Sequence, residues 1–224
     1  QNQSSAASDV YKRQAHGFDK KRKHYHVREF EQKLKNIFSP KMADVLCVSS
    51  GTAAIKVALK ALGIGRGDEV ITQSFNFIAT VEAIVDTGAN VVFTDIDDTL
   101  NMCPKNLESL ISKKTKAIIP VHMLGVPADM ILINRIGKRN KIPVVEDACE
   151  AIGAKVAGKY VGGLSEFGVF SFDFGKMITT GEGGALFSKK KSDGKNARMY
   201  HDHGHKNIPS LPRGLDHALS LIHI

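Results

Sequence analysis

An α/β fold, a three-layer sandwich with helices on both faces of a mostly parallel central sheet, is what this sequence predicts. Three observations carry that expectation. Short apolar strand patterns alternate with helical patterns along most of the 224 residues, the order that feeds a parallel sheet covered on both sides. The connections are short, and glycine and proline punctuate them. No internal repeat or low-complexity linker interrupts the alternation, so one domain is expected.

Residues 24–38 set Val27, Phe30, Leu34 and Phe38 at helical spacing. A strand over Asp44–Val48 follows. Residues 52–62 put Ile55, Leu59 and Leu62 on one face with alanines beside them, the pattern of a helix packed closely on a sheet. Gly63, Gly65 and Gly67 then end the helix and turn the chain. Further strands are expected over 69–72, 90–94, 116–121, 142–146, 167–173 and 184–188, and further helices over 77–86 and 128–140. Gly181-Glu182-Gly183-Gly184 reads as a tight turn into the last strand. It is no phosphate loop, because Gly175-Lys176 lacks the Walker spacing and the following Ser or Thr. Gly63-Ile64-Gly65-Arg66-Gly67 does not fit the dinucleotide pattern either.

The length suffices for one large domain with a real core. No apolar run reaches the ~20 residues that a membrane span needs, and no secretory signal opens the chain. A cytoplasmic protein without a membrane partner is the expectation. Cys47, Cys103 and Cys149 form neither a CxxC pair nor a zinc pattern, so they are expected as free thiols in a reducing compartment. The formal charge is +8, with lysines clustered at 20–23, 113–116, 138–141 and 189–191. These runs fall between strand and helix patterns and carry no nucleic-acid motif or interleaved aromatics. They read as solvated surface, with no nucleic-acid partner and at most some attraction for an acidic substrate. Residues 1–14 are polar and aperiodic, and residues 219–224 stop abruptly. Both ends look like translated sequencing-adapter read-through, non-native flanks of a domain over 15–218.

Ligands in open α/β sheets bind at the carboxyl ends of strands. The strand over 142–146 delivers Asp147 at its carboxyl end, and the strand over 167–173 is followed by Phe174, Gly175 and Lys176. A carboxylate and an amine far apart in sequence are thus aimed at one crevice. Ser50, Gly51, Thr52 and Ala53 open a helix directly after the first strand, where unpaired amides and the helix dipole favour an anion. Gly51 allows close backbone approach, and the hydroxyls of Ser50 and Thr52 add donors. Taken alone, Ser50 or Thr52 can be read as a plain helix cap, whereas Asp147 reads as a cap for the helix or loop after its strand and Lys176 as a solvated lysine; only the combination overturns those readings. Acid, amine and phosphate-ready helix start together point to pyridoxal phosphate (PLP). A lysine amine forms a Schiff base with an aldehyde, and a carboxylate beside a pyridine nitrogen keeps it protonated, so that the ring becomes an electron sink. Glu150 lies close enough to reach the same ligand, Ser171 is placed to donate to a phosphate, and Phe77 is placed to stack on a flat ring. Phe75 is expected in the core. No metal is expected: His201, Asp202, His203 and His205 lack a carboxylate or cysteine partner at ligand spacing.

SSGTAA, GIGRGDEVI, SFNFIAT, PVHMLG, VVEDACEAIGA, FSFDFGKMITTGEGGAL and HDHGH occur in this order. With these segments, residues 24–217 resemble the DegT/StrS-type sugar aminotransferases, PLP-dependent enzymes of fold type I. Val144–Ala185 is the most specific part. The resemblance implies the PLP-dependent transferase large domain, with the small C-terminal domain missing beyond the end of this chain. It implies that Lys176 carries the cofactor covalently and that Asp147 pairs with the pyridine nitrogen. Ser171 and the backbone of Gly51, Thr52 and Ala53 match the phosphate contacts, and Phe77 matches the stacking aromatic. Glu150 occupies a position where many relatives have Gln, near the ring hydroxyl. A ping-pong reaction is implied. An amino donor, usually glutamate, displaces Lys176, which then moves a proton between the donor's α-carbon and the cofactor. A keto-sugar, nucleotide-linked or a sugar acid, receives the amino group in amino-sugar or cell-surface polysaccharide synthesis. A homodimer in which each subunit completes the other's site is implied as well. Relatives with His in place of the lysine are sugar dehydratases, and Lys176 argues against that branch.

Overall fold

The computed structural model describes residues 26–202, and the two expected flanks lie outside them. In chain order the elements are α1 (His26–Phe38), β1 (Asp44–Val48), α2 (Gly51–Ala61), β2 (Glu69–Gln73), α3 (Ile78–Val85), β3 (Asn90–Thr94), α4 (Pro104–Leu110) and β4 (Thr115–Ile119). A short 3-10 turn, Met123–Gly125, precedes α5 (Met130–Asn140) and β5 (Val145–Asp147). The hairpin β6 (Lys155–Val156) and β7 (Lys159–Tyr160), then β8 (Phe167–Ser171), β9 (Gly184–Ser188) and α6 (Lys191–His201), complete the described part.

The strands form a four-stranded sheet, β1-β9-β8-β5, and a three-stranded sheet, β3-β2-β4. Parallel bridges Ile118–Val144 and Val121–Asp147 join them, so the order across is β3-β2-β4-β5-β8-β9-β1. Only β9 runs against its neighbours. The mostly parallel sheet therefore holds, with one reversed strand near its edge.

Alternation along the strands splits the core into two layers. Leu46, Val70, Ala117, Ile119, Phe167, Val169 and Leu186 point to one face, where Ala54, Ile55, Ala58 and Leu59 of α2, Ile84 of α3 and Ala197 of α6 cover them. Val45, Phe170 and Phe187 point to the other face and meet Leu34 of α1. Ile71 and Ile118 do the same against Leu107 of α4 and Met130, Ile133 and Ile136 of α5. Helix, sheet and helix make the expected three layers.

The differences from expectation have local causes. β5 begins at Val145 rather than at 142, because Pro143 has no N–H to give the ladder. Asp147 is consequently the last residue of the strand. β8 ends at Ser171, two residues early, and α4 begins with Pro104 at its first turn, a start signal that apolar periodicity does not register. The β6–β7 turn uses Ala157 (φ 48°) and Gly158 (φ 75°), both in the left-handed region a two-residue hairpin turn demands.

α6 is too polar to announce itself by periodicity, and a long-range ion cluster holds it. Arg198 donates from Nε to Asp44 Oδ2 at 2.6 Å, and from its terminal nitrogen to Glu31 Oε2 at 3.1 Å and to the Val45 carbonyl at 2.6 Å. Glu31, on α1, also accepts the Cys47 N–H of edge strand β1 at 2.9 Å. Burial opposes the charge of Arg198, but its bonds and charges with Asp44 and Glu31 outweigh that, so its pKa lies above that of ordinary arginine. Burial, with the charge of Glu31, pushes the Cys47 thiol up to about 12. Breaking a fully buried ion pair costs about 3–5 kcal/mol. The Arg198 side chain is 36% exposed, so Arg198→Ala is expected to cost roughly 2 kcal/mol. Denaturant unfolding reads this, and a loss under about 0.5 kcal/mol would mean the cluster is decorative.

Candidate active site

The carboxyl ends of β1, β5 and β8 frame a cavity of about 270 Å³, and Gly51, Thr52, Phe77, Asp147, Glu150, Ser171 and Lys176 all line it. Ser50, Thr80 and Cys149 line it too. Of the residues expected at the site, only Ala53 is absent from the lining. Its N–H donates instead to Ser50 Oγ at 3.1 Å, which makes Ser50 the helix cap of α2. The amides of Gly51 and Thr52, in the first turn, have no acceptor within the helix.

Gly51 is required by packing. A Cβ there would stand 2.7 Å from Cys149 Sγ and 3.1 Å from Ser171 Cβ. On β9, a Cβ on Gly184 would run into the Ser50 carbonyl. Two glycines thus let the start of α2 sit directly on the strand ends, which leaves its first-turn amides open to an anion.

Asp147 is 4% exposed, and two donors fix its carboxylate. The Thr80 hydroxyl donates to Oδ2 at 2.7 Å, and the Cys149 N–H donates to Oδ1 at 3.1 Å. The second bond is the local cap that the sequence offered as the plain reading. The first, from α3, orients the carboxylate into the cavity. The Thr80–Asp147 bond had no sequence signal beyond a threonine on the inward face of α3. Thr80→Val keeps the shape and removes the donor. It is expected to cost about 1.5–3 kcal/mol of stability, the range for a hydrogen bond to a charged group, with recovery in Thr80→Ser. Unfolding midpoints equal to those of the unsubstituted protein would contradict this.

Lys176 follows β8 on a turn closed by its own N–H to the Asp173 carbonyl at 3.0 Å. Its Nζ lies 3.8 Å from Glu150 Oε1 and 5.7 Å from the centre of the Phe77 ring. The other Glu150 oxygen accepts the Leu124 N–H at 3.1 Å. Leu124 holds a left-handed backbone (φ 52°, ψ 28°) to present that amide, the kind of local strain found at ligand sites. Phe77 stands at the start of α3 with 60% of its surface exposed, a free aromatic face over the cavity. Phe75 is 44% exposed and not in the core, contrary to expectation: the turn after β2 carries it outward, and its carbonyl accepts from Gln73 Nε2.

Cys149, expected only as a free thiol, forms the cavity wall against Gly51. Burial, then the charge of Asp147 and a hydrogen bond to it, raises its pKa well above the usual thiol range. It is a neutral wall rather than a nucleophile. His201 ends α6, and His203 and His205 lie outside the described residues. Among the described residues no helix is long and apolar enough to cross a membrane.

A buried, oriented carboxylate, an amine against an aromatic face and an anion-ready helix start, all at the carboxyl edge of a mostly parallel sheet, define an α/β domain built to hold a small phosphorylated ligand. The DegT/DnrJ/EryC1/StrS aminotransferase family matches residues 11–214, and the chain belongs to that family. It is similar to the GDP-perosamine synthase of Escherichia coli O157:H7, with 43% identity over 75% of this chain and 46% of that protein. Among solved structures it is similar to the aminotransferase from Psychrobacter cryohalolentis, with 35% identity, TM-score 0.77, and coverage of 80% of this chain and 45% of that one. It is also similar to NtdA from Bacillus subtilis, solved with the cofactor PMP bound, with 33% identity, TM-score 0.76, and coverage of 84% and 42%. The chain spans about half the length of the relatives it matches.

Proposed function

We propose that this chain is the cofactor-binding part of a PLP-dependent aminotransferase that moves an amino group, from glutamate, onto a keto-sugar. One observation carries the reading: Lys176 and Asp147 meet in a single cavity beside the open first turn of α2. PLP supplies an aldehyde that an amine can hold and a ring that draws electrons from the substrate. The residues present suit it. Gly51, Thr52 and Ser171 offer the phosphate a close backbone and hydroxyls. Asp147, held by Thr80 and the Cys149 amide, offers a fixed negative charge to the ring nitrogen. Phe77 offers a stacking face, and Glu150 keeps the amine of Lys176 turned to the cavity. Once free, that amine takes the proton from the α-carbon of the amino donor.

The likeness to a GDP-perosamine synthase supports a nucleotide-linked sugar as the substrate, and a place in cell-surface polysaccharide or amino-sugar synthesis is part of this proposal. Exposed Phe77, Leu124, Phe174, Met177 and Ile178 lie on and around the segments that line the cavity. An apolar rim of this kind suits a second copy of the chain, and so a homodimer. Three free cysteines suit a cytoplasmic location.

The test uses the chain completed to the length of its relatives, given glutamate and a panel of nucleotide-linked keto-sugars. Formation of 2-oxoglutarate together with an aminated sugar is expected by mass spectrometry. A dehydrated sugar without 2-oxoglutarate, or no turnover of the panel, would reject the aminotransferase reading.

A further inference from the structure

Two of the lysine runs in the sequence, 113–116 and 138–141, are brought together by the fold. They meet at the amino ends of the strands, opposite the candidate active site. The connections before β2, β4 and β5, three neighbouring strands, enclose there a depression of about 870 Å³. Leu62, Ile64, Ile142 and Pro143 give it an apolar floor, and Lys113, Lys116 and Lys141 also line it. Among the described residues, none of these lysines pairs with a carboxylate. Asp68 also lines the depression and accepts the Gly65 N–H at 3.0 Å, while Glu69 accepts the hydroxyl of Ser112, another lining residue, at 2.6 Å, so the three lysines outnumber the one lining carboxylate. Lys116 Nζ donates to the Lys113 backbone carbonyl at 3.3 Å, which holds its ammonium over the turn before β4.

Lys141 is the second observation. It caps α5 in a left-handed backbone (φ 57°, ψ 33°), where glycine sits without strain and is the common choice. A lysine there adds an ammonium to the depression at a conformational cost, and strained non-glycine residues cluster at ligand clamps.

The geometry points to a second binding site, for a small organic polyanion: a molecule with adjacent phosphate or carboxylate groups on an apolar or planar body. Ammonium groups without carboxylate partners around an open depression raise its positive potential. Phosphates and carboxylates take charge-assisted hydrogen bonds from them, while the floor receives the body. This inference is independent of the aminotransferase reading, because the two sites share no residue.

ADP serves as the probe. The whole chain is treated with a lysine-acylating reagent, with and without ADP at constant ionic strength, and the modified lysines are mapped by mass spectrometry. ADP is expected to slow acylation of Lys113, Lys116 and Lys141 at least threefold and to leave exposed Lys159 and Lys195 unchanged. In Lys141→Gly, which relaxes the backbone and so keeps the fold, the protection of Lys113 and Lys116 is expected to weaken at least threefold. Protection that is absent, uniform over all lysines, reproduced by potassium chloride, unchanged in Lys141→Gly, or confined to Lys176 would overturn the inference.

Discussion

Lys176→Ala is expected to abolish covalent attachment of PLP and to leave the fold intact. The side chain sits on a turn after β8, 22% exposed, with Glu150 and Phe77 beside its amine. It lines the cavity and belongs to none of the apolar core clusters, so the circular dichroism spectrum and unfolding midpoint should stay close to those of the unsubstituted protein. Glu150 loses an ion partner across 3.8 Å, which for a partly exposed pair is worth about 0–1 kcal/mol. The effect on chemistry is of another size. On the proposed reading, loss of the amine removes the covalent anchor and the proton carrier together, and a positioned general acid–base group alone contributes on the order of 10²–10⁴-fold. In the completed protein, turnover should therefore fall by about 10³-fold or more. A covalent adduct persisting on another lysine would move the site away from Lys176.

Asp147→Ala has the second largest effect, and it separates binding from turnover. The start of α2 and Ser171 are untouched, so some PLP still binds. On the proposed reading the fixed charge at the ring is lost, and removal of one preorganised electrostatic group costs on the order of 10²–10³-fold in rate. Near-normal turnover would sink the role given to this carboxylate. A second readout checks the geometry without any turnover. Asp147 is one of the groups, after burial itself, that raise the Cys149 pKa. Without it the thiol moves back toward its ordinary range, so at a fixed mildly alkaline pH more of it is thiolate. Cys149 should then react faster with iodoacetamide in Asp147→Ala, because the thiolate is the nucleophile.

Much of this site was legible in the sequence for a physical reason. The strands ending at Asp147 and just before Lys176 are short and apolar, and in an α/β sheet the residues after such strands gather on one edge. Gly51 was legible for the same reason, as a glycine directly after a strand. Interactions between segments distant in sequence were not legible. Thr80 reaches Asp147 across 67 positions of the chain, and nothing in residues 78–85 marks that hydroxyl. Arg198 meets Asp44 across 154 positions, so nothing local in this polar segment marks α6, which the ion cluster and the seat of Gly194 against Asp44 hold in place. The reversed direction of β9 was equally hidden, since an apolar run carries no sign of its polarity. Ala53 shows the converse error: a residue inside a well-placed motif can spend its amide on the cap rather than on a ligand.

Borohydride reduction after incubation with PLP, followed by peptide mapping of a sample whose fold circular dichroism has verified, addresses the cofactor and the central residue at once. A pyridoxyl group on Lys176, and on no other lysine in proportion, is the expected result. A folded sample carrying no adduct at Lys176, both as this chain and when completed to the length of its relatives, would contradict the assignment of Lys176 and with it the proposed function.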